Sequence, residues 1–275
     1  MTKNAFSSTK LVIVTAVSFS WALSCQSTLA SSLAASFAQS FVYQTFLRAD
    51  TIKVDEQPGE IRLSGQVMDE PHRSLAQALA AELAVGQVIN NQLVVKMPAS
   101  ENAEALVVSR ILAVWALHRS TRLGNPHVGV HDGIAALEGE AATESQRALY
   151  GEYARDIPGV RQVENRMTVS ASRLGDNKAE PQTIDDVSIT AQVKVALQLH
   201  RSTRQILSKV VTTNGVVTIT GVARNAVEIS HVTILATDIV GAKLVLNTMT
   251  LAPSLSQNTL KPPAVSNLRI VTAKD

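Results

Sequence analysis

Cysteine is nearly missing from this sequence, Cys25 being the single one in 275 residues. That excludes a disulfide framework within the chain and a multi-cysteine metal site. Aromatic residues make up only 4%, while alanine, valine and leucine fill the apolar positions, which suits thin α+β layers better than a deep ligand cavity. Charge of one sign is also absent. Lys3 and Lys10 are the only charged residues in 1–30, so the rest of the chain holds 23 basic and 23 acidic residues. A nucleic-acid partner is not implied by that balance. No Gly-x-Ser-x-Gly elbow, phosphate-binding glycine loop or His-Glu-x-x-His motif occurs. No catalytic residue and no cofactor is therefore assigned, and the chain is read as non-enzymatic.

The N-terminus reads as an export signal over residues 1–30. Lys3 and Lys10 precede the apolar run Leu11–Leu23, and small residues follow up to Thr28-Leu29-Ala30. The apolar run is too short for a comfortable membrane span, so no transmembrane segment is expected after cleavage. A rival processing site is Cys25. Its context, Ala22-Leu23-Ser24-Cys25, resembles a lipobox but lacks leucine three residues before the cysteine. Cleavage after Ala30 would give a periplasmic protein, and acylation of Cys25 an outer-membrane lipoprotein.

The rest of the chain is one pattern written three times. Gly215, Gly221, Asn247, Met249 and Leu251 fall, 82 residues back, on Gly133, Gly139, Asn165, Met167 and Val169. Another 74 back they fall on Gly59, Gly65, Asn91, Leu93 and Val95, with no gap needed. A fixed internal period decides the architecture. The copies span residues 31–96, 102–170 and 184–252. A short linker, 97–101, and a longer, mobile polar one, 171–183, join them, and a flexible tail, 253–275, follows.

Within each copy the matched residues have physical roles. Asp132-Gly133 and Asn214-Gly215 are hairpin signals requiring positive φ, and Pro58-Gly59 suits a different turn at the same place. A strand follows, and the second glycine (Gly65, Gly139 or Gly221) is expected to end it by bending or by close approach to a neighbour. Second helices are predicted at about 71–84, 144–156 and 226–238. The last strand places Asn91, Asn165 and Asn247 on an apolar face. An amide there needs partners, and a clamp on a loop or turn backbone is expected. A first helix is marked by Leu33, Phe37 and Phe41, by Val107, Ile111 and Trp115, and by Ile189, Val193 and Leu197. Trp115 shares its register with Phe41 and Leu197, which places it in the core.

Helix, glycine-bracketed hairpin, helix and a strand carrying apolar-x-Asn-x-apolar together resemble the BON domain (bacterial OsmY and nodulation). The resemblance rests on Gly59/Gly65/Asn91, Gly133/Gly139/Asn165 and Gly215/Gly221/Asn247, with Gly86, Gly159 and Gly241 at helix ends. It implies three tandem αββαβ modules, each a small three-stranded sheet with two helices. It also implies an exported envelope protein without catalytic activity, linked to osmotic stress and to binding of phospholipid surfaces. The alternative is a soluble periplasmic chaperone-like or scaffolding protein that binds polypeptides or envelope proteins.

Two constellations remain. Leu117-His118-Arg119-Ser120-Thr121-Arg122 recurs as Leu199-His200-Arg201-Ser202-Thr203-Arg204. Arg119, Arg122, Arg201 and Arg204 are the candidate contacts for an anionic lipid surface. The competing reading is that cations at a helix C-terminus complement its dipole. His127, His131 and Asp132 lie close together, but the other copies have no counterpart and His131-Asp132-Gly133 is the turn itself, so no metal site is assigned.

Overall fold

The computed structural model describes residues 33–96, 103–122, 124–170 and 184–252. The expected export signal over residues 1–30, the candidate lipidation site Cys25 and the tail 253–275 lie outside the described residues.

Three αββαβ modules follow one another. The first comprises α1 (residues 33–47, π-wound over Tyr43–Leu47), β1 (Thr51–Gln57), β2 (Glu60–Val67), α2 (Glu70–Leu83) and β3 (Val88–Val95). The second comprises α3 (Ala103–Leu117), β4 (Asn125–His131), β5 (Ile134–Ala141), α4 (Glu144–Arg155), β6 (Gln162–Asn165) and β7 (Thr168–Val169). The third comprises α5 (Asp186–Leu199), β8 (Ser208–Thr213), β9 (Val216–Ala223), α6 (Ala226–Thr237), β10 (Leu244–Asn247) and β11 (Thr250–Leu251). Each hairpin is antiparallel, and the last strand of each module returns parallel to the central one. The result is a mixed sheet with both helices on one face.

The turns carry the backbone the sequence demands. Asp132 and Gly133 have φ of 49° and 75°, and Asn214 and Gly215 have 53° and 80°. Two successive positive φ values match the right-handed twist of a two-residue hairpin. Proline cannot adopt positive φ, and of the two central turn residues of the first hairpin, Pro58 and Gly59, only Gly59 does, at 78°.

The second glycines do not end their strands, contrary to expectation. β2, β5 and β9 run on past them, with Gly65, Gly139 and Gly221 paired opposite Ile52, Pro126 and Ser208. The reason for glycine is close approach. A Cβ on Gly65 would stand 2.0 Å from the Thr51 carbonyl oxygen, one on Gly139 2.2 Å from that of Asn125, and one on Gly221 2.4 Å from that of Leu207.

The asparagines clamp a helix, where a loop or turn was expected. Asn165 Nδ2 donates to the Arg147 carbonyl at 2.7 Å, and Asn247 Nδ2 donates to the Ile229 carbonyl at 3.1 Å. Asn91 Nδ2 reaches Gln77 Oε1 at 3.0 Å on the same helix face. Each Oδ1 accepts from the backbone two residues on, at Leu93, Met167 and Met249. In the later modules the last strand is interrupted just after this residue, into β6 and β7 and into β10 and β11, and keeps the same register to the central strand on both sides of the break. One side chain thus fixes both the start of the second helix and the course of the last strand.

Trp115 is in the core, as its register predicts. It is 2% exposed, its ring meets Tyr150 edge-on with centroids 5.0 Å apart, and its Nε1 donates to the Tyr150 carbonyl. Trp115→Ala should cost about 3–5 kcal/mol of unfolding free energy, measured by chemical denaturation. A loss under about 1 kcal/mol would contradict this packing.

The modules are not independent. α5 is buried on nearly every side, from Ser188 through Leu199. The buried set includes the polar Ser188, Thr190 and Gln192 as well as the apolar stripe. The helix's own sheet covers one side, and α2 and α3 cover others. Phe41 N donates to Asp185 Oδ2 and Val42 N to Ser188 Oγ, while Lys194 pairs with Glu82. The first module is therefore seated on the opening helix of the third.

Candidate functional site

The repeated His-Arg-Ser-Thr-Arg segments follow α3 and α5, where each helix ends and the chain turns towards its hairpin. Thr121 Oγ1 and Thr203 Oγ1 donate back to the carbonyls of Trp115 and Leu197 at 3.0 and 2.8 Å. These bonds curl each segment so that His, Arg and Ser face the other module.

The segments then form a reciprocal clasp. Arg119 N donates to the Asp238 carbonyl and Arg201 N to the Asp156 carbonyl, both at 2.6 Å. Ser120 donates through N and Oγ to Asp238 Oδ1 at 3.1 and 2.6 Å. Ser202 donates through N to Asp156 Oδ1 at 3.0 Å and through Oγ to Asp156 Oδ2 at 2.5 Å. The Arg119 guanidinium reaches the carbonyls of Ile239 and Ala242, and that of Arg201 reaches Ile157 and Val160. Asp156 and Asp238 are the C-cap residues of α4 and α6. The cations do complement a helix C-terminus, but it is the helix of the opposite module.

His118 and His200 meet at the centre of the clasp, both 0% exposed, with Nε2 atoms 3.2 Å apart. His200 Nδ1 lies 3.0 Å from Asp156 Oδ2. The matching contact of His118 is longer, 3.5 Å to Asp238 Oδ2, an oxygen that also accepts from Tyr153 Oη at 2.7 Å. Position 235 in the third module, the register of Tyr153, is leucine, and Asp156 Oδ2 accepts instead from Ser202 Oγ at 2.5 Å beside His200. His118 Nδ1 is buried without a hydrogen-bond partner.

The environment shifts these groups. Burial, and then the charge of His200, lower the His118 pKa against the pull of Asp238. Burial alone would raise the Asp238 carboxyl, but contacts with His118, Ser120 and Tyr153 outweigh it and hold the pKa below the usual range. For Asp156 burial is likewise outweighed, by His200 and Ser202. Burial raises Tyr150 to about 12. Burial and then Asp238 raise Tyr153 further.

The signs add at acid pH. A folded-state histidine pKa below the unfolded value of about 6.5 means that unfolding takes up a proton, so stability falls as pH drops below about 6.5. A depressed aspartate adds a second loss as pH falls through its own lower pKa. A raised tyrosine loses stability as pH climbs above about 10. A pH series of thermal unfolding should show decline on both flanks, and His118→Gln should flatten the upper part of the acid limb.

The two outer arginines are placed differently. The Arg122 guanidinium lies 5.6 Å over the Phe41 ring, a cation–π contact with the first module. Arg204 lines an open groove of about 770 Å³ with Asp132, Gly159, Arg161 and Arg201. Arg161 donates to the Asp132 carbonyl. Among the described residues, none of Arg161, Arg201 and Arg204 pairs with a carboxylate side chain. The charge of Arg204 also acts on Arg110 of α3. Burial first and the Arg204 charge second lower the Arg110 pKa, with Glu70 opposing.

The other candidates are quickly placed. His131 is 87% exposed beside Glu104 and Asp132 at 3.5 and 3.6 Å. Among the described residues no three His, Cys, Asp or Glu side chains are grouped to hold a metal ion. No described helix is long and apolar enough to cross a membrane. Sequence reasoning passed over Asp156 and Asp238. Their shared register, each followed by isoleucine, was the available signal.

Three αββαβ units built on paired glycines and a helix-clamping asparagine define a tandem α+β repeat protein. The chain belongs to the BON domain family, whose sequence pattern matches residues 28–97, 104–171 and 185–253. BON domains are associated with membrane- and envelope-related proteins, and the family is generally non-catalytic. No curated protein matches the chain in sequence. Similar solved structures include CdsD, a structural protein of the type III secretion system of Chlamydia trachomatis, 18% identical over 78% of this chain and 91% of that one, TM-score 0.21. Another is the periplasmic domain of PrgH, a type III secretion inner membrane protein from S. typhimurium, 13% identical over 74% of this chain and 100% of that one, TM-score 0.20. Scores of this size carry no functional inference.

Proposed function

We propose that the protein is an exported, non-enzymatic component of the cell envelope that associates peripherally with anionic phospholipid and supports envelope integrity under osmotic or related stress. The observation that supports this reading is the groove lined by Arg161, Arg201 and Arg204, none of which pairs with a carboxylate side chain among the described residues, with Asp132 the one acidic residue in its lining. Three guanidinium groups gathered in this way repel one another and favour an anion. Of the four arginines singled out in the sequence, Arg122 and Arg204 are the ones the clasp does not use. Arg119 and Arg201 act on the surface chiefly by the charge they add. The basic tail, with Lys261, Arg269 and Lys274 against Asp275, adds attraction of the same sign.

Liposome flotation tests this reading. The protein should float with anionic vesicles and not with neutral ones, and the association should weaken at high salt. Arg161→Ala/Arg204→Ala should reduce it several-fold. Absence of flotation at low salt would overturn the proposal.

A second reading, polypeptide binding as a periplasmic chaperone or scaffold, is favoured by the third module. Its open sheet face exposes Val211, Val222, Leu244 and Leu246, and α6 exposes Val227 and Ile234. The matching face of the first module carries Lys53, Asp55, Glu60 and Arg62. Apolar contacts of this kind would persist at high salt, which separates the two readings.

A further inference from the structure

We propose that His118 and His200 form a proton-gated latch between the second and third modules, closed while a single hydrogen lies between the rings and opened when both rings are cationic. The inference does not depend on the lipid reading.

The geometry fixes the hydrogen positions. His200 Nδ1 is 3.0 Å from Asp156 Oδ2 and donates to it. With the His200 hydrogen on Nδ1, the single hydrogen between the two facing Nε2 atoms of a neutral pair is that of His118 Nε2. It points at His200 Nε2, 3.2 Å away, whose lone pair accepts it. Both rings are then neutral and the clasp is closed. A first added proton can settle on His118 Nδ1, facing the Asp238 carboxylate 3.5 Å off, without disturbing the shared hydrogen. A second has only His200 Nε2 left. Two N–H groups would then face each other across a gap that holds one hydrogen, in a site closed to water. An unpartnered buried charge of that kind costs far more than the contact it replaces.

The groups facing the pair come from every surrounding element. They are Tyr153 and Asp156 from α4, Asp238 from α6, and Arg119 and Arg201 from the two clasp segments. Hydrogen bonds hold the carboxyl groups of Asp156 and Asp238 below their usual pKa range. Opening would release Arg119 and Arg201 from the carbonyls they hold and uncover Asp156 and Asp238. The rings are the axis of the reciprocal contact, so protonation is read by both halves at once.

Amide hydrogen exchange on the native protein reads the latch directly, because the Arg119, Ser120, Arg201 and Ser202 N–H groups are its hydrogen bonds. Their protection, corrected for intrinsic exchange and referred to Leu63 in β2, should fall at least about tenfold between pH about 7.5 and about 4.5, a range that ends above the ordinary aspartate pKa. A constant ratio would overturn the proposal. His118→Gln/His200→Gln, whose amides do not titrate, should show no such fall, and the same fall in that variant would also overturn it. The histidine ring protons of the native protein give a reading that needs no variant. The pair should titrate in two steps at least about one pH unit apart. Independent titration of both rings near the ordinary value would overturn the latch.

Discussion

Asp238→Ala should loosen the third module from the second and lower unfolding free energy by about 2–4 kcal/mol. The carboxylate accepts from Ser120 N, Ser120 Oγ and Tyr153 Oη. Alanine would strand all three donors, and His118 would lose the nearest counter-charge to its unpartnered Nδ1. Asp156→Ala should cost a similar amount through Ser202 and His200. Residues sharing one network do not add, so the double variant should lose less than the sum. Asp238→Asn keeps an acceptor for Ser120 and should fall between wild type and alanine. Thermal unfolding measures the loss, and limited proteolysis reports separation of the modules. An Asp238→Ala protein within about 0.5 kcal/mol of wild type would show that the clasp contributes nothing.

Gly139→Ala should unfold the second module, with a cost of at least about 4 kcal/mol. The added Cβ would lie 2.2 Å from the Asn125 carbonyl oxygen, and Gly139 holds φ 105°, where L-residues are strained. The displaced atom is backbone, so no rotamer change relieves it. Gly129, on the facing strand of the same hairpin, has nothing within 4 Å of its Cβ position and no positive φ. Gly129→Ala should therefore change stability by no more than about 1 kcal/mol. Circular dichroism and denaturant midpoints of the two variants compare the same substitution in one hairpin. Equal effects would remove close approach as the reason for glycine.

Much of the module was legible because its determinants are local. A positive-φ turn, a strand alternation and a helix stripe are each written within a few residues, and repetition in one register strengthened all three. The second helices lie within a residue or so of their expected ends. What misled were residues whose partner is distant. Gly65 punctuates nothing; it leaves room for a carbonyl 14 positions earlier. Asn165 bonds a helix turn 18 residues before it, and a clamp on a loop reads the same in sequence. α5 shows an apolar stripe like the other first helices, yet it is covered from other modules as well as its own. The arginines were the least legible. His-Arg-Ser-Thr-Arg followed by its twin looks the same whether it faces a headgroup or a neighbouring helix end, and the segment does not itself show the aspartates that receive it.

The clasp has the form of an isologous interface, the kind two identical subunits make about a two-fold axis. Here both subunits are in one chain. Any module carrying both halves, the His-Arg-Ser donor and the aspartate acceptor, is complementary to its own copy. Three such modules would satisfy two and leave the third reaching for another molecule. The first module avoids this. It has Gln44 where the others have histidine, Phe46 in place of serine and Glu82 in place of aspartate, with Glu82 already paired to Lys194. The pairing therefore closes within a single molecule, and this surface has no unsatisfied half left from which the chain could polymerise.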